Sequence, residues 1–132
     1  MIYLLDTDIV SLIIRKNVFV ISNLIKHEDD EICISAVTYA EIFYGLIKKG
    51  SSQLFDEVIS VVDKMSIIAF DDSQSEFYGK IRVGLEKSGT PLGDMDMLIA
   101  AAAMSKDAVL ITHNKKHFSK IKGLKTEDWN VR

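Results

Sequence analysis

At 132 residues, with 48% hydrophobic and 27% charged side chains, the chain has the size and composition of one folded domain, residues 1–132, and not of a disordered one. A formal net charge of −3 excludes a uniformly basic nucleic-acid-binding domain, so a polyanion must meet a local basic patch or a bound cation. The lone Cys33 excludes an intrachain disulfide and a cysteine-rich zinc site.

The first apolar run, Ile2–Leu5, is too short for a stable helix and is cut off by Asp6 and Asp8, so it reads as a buried strand. No basic segment precedes it and no run of 18 uncharged apolar residues follows, so neither a signal peptide nor a membrane span is expected. A single cysteine suits a reducing compartment, and the expectation is a cytoplasmic protein. Helical patterns cover 8–16 and 18–27. The acidic run at 28–31 reads as a solvated turn before a second strand over 32–35, where Cys33 is a small buried hydrophobe. In the next helix, 38–48, Ile42 and Leu46 are spaced by four. Over 54–64, Leu54, Val58, Val61, Val62 and Met65 share one face.

A third strand is expected over 66–70 and a helix over 73–87, with Phe77, Ile81 and Leu85 spaced by four. The single proline, Pro91, marks a loop over 88–93. The helix that follows, 94–106, is apolar nearly all round and is expected to be buried. A fourth strand is expected over 108–112 and a weaker fifth over 124–126, with Trp129 as a packing anchor. Strands alternating with helices predict an α/β fold, a mostly parallel sheet with helices on both faces.

Open parallel sheets carry their sites at the carboxyl ends of strands. Asp6 ends the first strand, Glu41 lies one turn into the helix after the second, Asp94 and Asp96 open the buried helix, and Asn114 comes two residues after the fourth strand. All can converge on one sheet edge. Carboxylates about 4 Å apart repel by roughly 4 kcal/mol per pair at an effective dielectric of 20, which a cation removes. Oxygen ligands without sulfur suit Mg²⁺ or Mn²⁺, and hence phosphodiester or phosphoryl chemistry. Each residue also has a plainer reading: Asp6 or Asp94 as a helix cap, Asp96 against the helix dipole, Glu41 as a solvated helical residue, Asn114 as a turn residue. His113 and His117 are spaced by four, but no third ligand or His-Glu-x-x-His pattern accompanies them, so no zinc site is expected. Lys115, Lys116, Lys120, Lys122 and Lys125 fall within eleven residues beside Asn114. They are either solvated surface or a phosphate-binding strip, with Lys115, Lys116 and Lys120 the candidates for RNA contact.

Four stretches carry a family resemblance: Leu5-Asp6-Thr7-Asp8; the run from Ser35 through Tyr39-Ala40-Glu41 to Gly45; the run from Gly89-Thr90-Pro91 through Asp94 and Asp96 to Ala101; and Leu110-Ile111-Thr112-His113-Asn114 leading to Phe118. With the ending Glu127-Asp128-Trp129, they make the whole chain resemble the PIN-domain toxins of prokaryotic toxin–antitoxin pairs, the VapC group. The resemblance implies a three-layer α/β/α sandwich and a Mg²⁺- or Mn²⁺-dependent endoribonuclease. Asp6, Glu41 and Asp96 match its acidic metal-binding positions, and Asn114 stands where a fourth acid is common. Asp8 stands where Asn is common, and Asp94 where many relatives carry something else. Metal-assisted hydrolysis is implied, with Thr7 and Thr112 hydrogen-bonding to the ligands and Asp8 and Asp94 in auxiliary places. Also implied are a cognate antitoxin, a structured RNA substrate such as transfer RNA, a homodimer, and operator DNA bound only through the antitoxin complex. Tyr39, Phe43 and Tyr44 are candidate contacts for antitoxin or dimer, with Phe43 better suited to the core.

Two rival readings remain. Leu5-Asp6-Thr7-Asp8 also resembles the nucleophile motif of haloacid-dehalogenase-like phosphatases, but Gly93-Asp94 precedes the Thr112 strand where that family's acidic motif follows it. A PIN-like module that binds without cutting is the other, kept open by Asn114.

Overall fold

Residues alternating along short strands build two cores on one sheet. In the computed structural model, which describes residues 1–131, the elements run β1 (Ile2–Leu5), α1 (Thr7–Ile14), α2 (Val18–Lys26), β2 (Glu31–Ser35), α3 (Ala36–Lys49), α4 (Ser52–Val62), β3 (Ser66–Ile68), α5 (Asp72–Ser88), α6 (Asp94–Ser105), β4 (Val109–Ile111), α7 (Lys115–Phe118) and β5 (Thr126–Glu127). Arg132, the last residue of the domain expected over 1–132, lies outside the described residues. The strands form one sheet, ordered β3-β2-β1-β4-β5, in which every pairing is parallel. Leu4 is in register with Cys33 and Leu110, and Leu5 with Ile111.

Because strand side chains alternate, Leu4, Cys33 and Leu110 enter one core while Leu5, Ile34 and Ile111 enter the other. The first is covered by Ile81 and Leu85 of α5 and by Met97, Ile99 and four successive alanines, 100–103, of α6. The second is covered by Ile9, Val10 and Ile13 of α1, Val20 of α2 and Val62 of α4. Helix α3 joins both, giving Val37 to the first core and Tyr39 and Ile42 to the second. This is the expected three-layer α/β/α sandwich. Among the described residues no helix is long and apolar enough to cross a membrane.

Side-chain hydrogen bonds account for the shifted element boundaries. Helix α3 starts at Ala36 rather than at 38 because the Ser35 hydroxyl accepts the Thr38 amide at 3.0 Å. β3 stops at Ile68 rather than at 70. The Gln74 side-chain amide donates to the Ala69 carbonyl at 2.8 Å and draws the chain out of the ladder. β5 forms at Thr126–Glu127, not at 124–126, and the one-turn helix α7 had no periodic signal. At the end of α5, Gly89 takes a left-handed conformation (φ 68°) that a side chain disfavours, and the loop to α6 begins there.

Trp129 anchors the end of the chain. Its indole is 2% exposed, stacks on His27 at 5.0 Å between ring centroids, and meets Tyr3 at 5.4 Å. Its carbonyl accepts from the Asn23 side-chain amide at 3.1 Å. Trp129→Ala is expected to lower stability by about 3–5 kcal/mol, the cost of emptying a large aromatic site. Urea denaturation followed by circular dichroism reads this directly; a midpoint unchanged from the parent refutes the anchor.

Candidate active site

The strand order reverses between β1 and β4, because β1, β2 and β3 advance to one side and β4 and β5 lie on the other. A crevice opens at the carboxyl ends of strands at such a switch point. Asp6 follows β1 there and Thr112 follows β4, and the Asp6 amide donates to the Ile111 carbonyl at 2.8 Å. One Asp6 oxygen accepts the Thr7 amide at 2.8 Å and so caps α1; the other accepts the Thr112 hydroxyl at 2.9 Å. The cap reading and the site reading of Asp6 are therefore compatible. Thr7 donates its hydroxyl to Glu41 Oε1 at 2.9 Å and lies 3.2 Å from the Thr38 hydroxyl, which ties Glu41 on α3 to the start of α1.

Electrostatics mark this crevice out. Asp6 is 7% exposed. Burial, then the neighbouring Asp8, and more weakly Asp96 push its carboxyl up to about 7, against the opposing pull of its two hydrogen bonds. Asp8 is raised as well, chiefly by burial; the His113 amide, donating to its Oδ2 at 3.2 Å, works against that. Asp8 Oδ1 is buried with no hydrogen-bond partner. A buried charged oxygen without a donor is costly. Asp8 and, more weakly, Asp96 thus repel the Asp6 carboxylate, a conflict that a divalent cation would relieve. Among the described residues no three such side chains are gathered into a ready metal cage.

The other candidates fall in different places. Asn114 is exposed at the start of α7; its amide donates to the Thr112 hydroxyl at 3.0 Å, and its side chain makes no capping hydrogen bond. Asp94 does not join the carboxylates. It is exposed and lines a small groove with Arg82, Glu86 and Met97, because the first turn of α6 points it and Asp96 in different directions. The lysines do not form one strip either. Lys115 and Lys116 are exposed on α7 beside Asn114, whereas Lys120 and Lys122 line a groove with Phe77, Ile81 and Met104. Lys125 pairs with Asp107 at 2.8 Å at the amino end of β4, since the chain after α7 turns back across the sheet before β5. On α3, Phe43 packs against Tyr39 at 4.8 Å and Phe55 at 5.8 Å, while Tyr44 is exposed.

The PIN domain family model matches residues 3–124. The chain belongs to the PIN-domain family. It is 33% identical to the ribonuclease VapC1 of Haemophilus influenzae (strain R2866), with 98% of each chain covered. It is 30% identical to the tRNA(fMet)-specific endonuclease VapC of Shigella flexneri, covering 97% of this chain and 98% of that one. Among solved structures, VapBC2 from Rickettsia felis, bound to a DNA fragment from its promoter, superposes with a TM-score of 0.90. It is 34% identical, with 98% and 99% of the two chains covered. These matches make the chain a VapC-type PIN domain and leave the phosphatase reading without support.

Within this PIN domain, sequence reasoning missed the role of His117. Its Nε2 lies 2.9 Å from Asp96 Oδ2, while His113 turns to Asp128 Oδ2 at 3.0 Å. The two histidines serve different carboxylates, so their spacing by four carries no shared site. Position 117 signalled only through its spacing from His113, because its partner Asp96 is 21 residues away. His117→Ala is expected to raise the Mg²⁺ concentration needed for half-maximal activity about 10–100-fold, the usual effect of freeing a ligand from its orienting partner. His117→Gln, which keeps a donor, is expected to lose less. Equal losses in both variants, or none in either, count against an orienting role.

Proposed function

We propose that this chain is a Mg²⁺- or Mn²⁺-dependent endoribonuclease, the toxin of a VapBC-type pair, with Asp6, Glu41 and Asp96 as its working carboxylates. The observation that carries this reading is Asp6: buried at the switch point, crowded by Asp8 and Asp96, and raised to about 7, it is a carboxyl whose ionised form a bound cation would favour. Relatives of the same length named as ribonucleases supply the reaction class.

Asp6 and Asp96 would hold the cation, and Asp8, whose Oδ1 is buried without a partner, acts on Asp6 beside them. When bound, such an ion stabilises charge on the phosphoryl oxygens and makes water a stronger acid. Thr112 and the Thr7 amide fix both Asp6 oxygens, and His117 fixes one Asp96 oxygen. Glu41 is held at Oε1 by Thr7, which leaves Oε2 to accept a proton from the attacking water. Asn114 sits at the same edge as a neutral hydrogen-bonding group. Lys115 and Lys116 bind flanking phosphates, with Lys120 further along the surface. The partners proposed are RNA, structured RNA such as transfer RNA included, a VapB-like antitoxin, and a second copy of the chain in a homodimer. The whole chain acts as one domain in the prokaryotic cytoplasm. Operator DNA is reached only through the antitoxin.

The test is incubation of the purified chain, freed of antitoxin, with total bacterial RNA in Mg²⁺, in Mn²⁺ and in chelator, beside Asp96→Asn. Discrete cleavage that needs the metal and vanishes in the variant is expected. A folded, metal-loaded chain that cuts none of the RNA supports the PIN-like binding module instead.

A further inference from the structure

The active-site edge continues into a cleft of about 240 Å³ between α1, α3 and α4. It shares Thr7 and Glu41 with the carboxylate site, its walls include Ile14 and Ile42, and Arg15 lies along it. Thr7, Ser11 and Arg15 are spaced by four on α1, so one face of that helix lines the cleft for about 12 Å away from the site.

Gly45 lines this cleft. It lies inside α3, where glycine costs roughly 0.5–1 kcal/mol against alanine. No positive φ requires it, and a Cβ placed there meets no atom within 4 Å. Neither a turn nor a close backbone approach explains the residue. What a side chain at position 45 does is fill the cleft one helical turn from Glu41.

We propose that this cleft is a nucleobase pocket, which takes the base next to the scissile phosphate of a single-stranded RNA segment; this rests on the ribonuclease reading above. Its volume lies below the roughly 300–1,000 Å³ of sites that enclose drug-sized molecules, which suits one unstacked ring rather than a folded segment. Aliphatic walls cover the faces of a base, and the Ser11 hydroxyl offers a hydrogen bond to its edge. Arg15 forms no ion pair among the described residues. It stands where the strand's next phosphate leaves the cleft. With Arg15 along the slot, a nucleotide whose phosphate lies outside it meets a cation that an apolar peptide side chain leaves unused.

Two measurements test this on the full chain. In the first, the four nucleoside 5′-monophosphates are titrated in chelator against isotope-labelled protein. Saturable shifts are expected at the Gly45 amide and the Ile14 and Ile42 methyl groups, and not in Gly45→Leu. In the second, RNA cleavage is compared across variants. Gly45→Leu is expected to raise KM about tenfold at nearly constant kcat, the effect of losing one base contact, and to flatten base preference beside the cut. Arg15→Ala is expected to raise KM and reduce the salt dependence of binding. If the parent chain cuts no RNA but nucleotides still shift the cleft, the ribonuclease reading fails and the pocket stands. If the parent cuts RNA while the nucleotides shift nothing, or Gly45→Leu keeps the parent KM and preference, the pocket is overturned. Loss of antitoxin capture by Gly45→Leu with RNA kinetics intact overturns it too, by assigning the cleft to the protein partner.

Discussion

Asp6→Asn is expected to lower RNA cleavage by roughly a thousandfold or more while leaving a folded chain that, in chelator above pH 7, is more stable than its parent. The activity loss follows from removing a charge that the cation needs; several kcal/mol of charge stabilisation at about 1.36 kcal/mol per decade gives that scale. The gain in stability follows from the same charge. Asp6 is buried and raised to about 7, so its ionised form is unfavourable in the metal-free fold. The amide keeps the shape, accepts the Thr7 amide through its oxygen, and can donate to the Thr112 hydroxyl, which now turns. A carboxylate that serves only as the cap of α1 behaves differently. Asn caps a helix about as well as Asp, so the exchange then leaves both stability and catalysis nearly unchanged. Paired cleavage assays and thermal melts of parent and variant separate the two, and a variant as active as its parent removes Asp6 from the metal site.

Two exchanges in the carboxylate set sit side by side in space. The resemblance to the VapC group places Asp8 where Asn is common and Asn114 where an acid is common. These positions are 106 residues apart, yet Asp8 Oδ2 accepts the amide of His113, the residue before Asn114. The acid at 8 and the amide-bearing residue at 114 thus meet through His113 at the β1–β4 switch point. Of the charged neighbours, Asp8 raises Asp6 most.

This exchange shows where sequence reasoning reached and where it stopped. Strands β1, β2 and β4 were legible because their apolar runs sit on both faces of a parallel sheet and need no alternation with polar residues. The edge strands β3 and β5 were legible only as approximate positions. They bury less, and a side-chain hydrogen bond from Gln74 decides where β3 ends. The placement of Asp6 after β1, of Glu41 on α3 and of Asp96 in the first turn of α6 was legible from spacing and motif order, since each sits at a fixed offset from a strand or helix start. His117 was not, because its importance lies in one contact across 21 residues. Asp94 and the lysine run misled for the reverse reason. Adjacency in sequence was taken for adjacency in space, whereas the turn of α6 and the reversal after α7 send those side chains to different surfaces.

Metal-free stability is expected to fall between pH 5 and pH 8, and Mg²⁺ to reverse the fall. Asp6 has an ordinary value of 3.8 when unfolded and about 7 when folded, and Asp8 is raised in the same direction. Between those limits the folded chain binds more protons than the unfolded one, so stability drops as pH rises through the window and levels off above about 7. A cation needs the ionised carboxylates, so its stabilisation grows over that same range. At a hundredfold excess over its dissociation constant it contributes about 2.7 kcal/mol. Thermal melts at pH 5 and pH 8, with chelator and with Mg²⁺, give four midpoints. The chelator pair should descend and the Mg²⁺ increment should be larger at pH 8. The same four melts on Asp6→Asn should show both effects much reduced, which assigns them to Asp6. A chelator midpoint that holds level or climbs from pH 5 to pH 8, or a Mg²⁺ increment independent of pH, means that Asp6 does not carry a buried charge awaiting a cation.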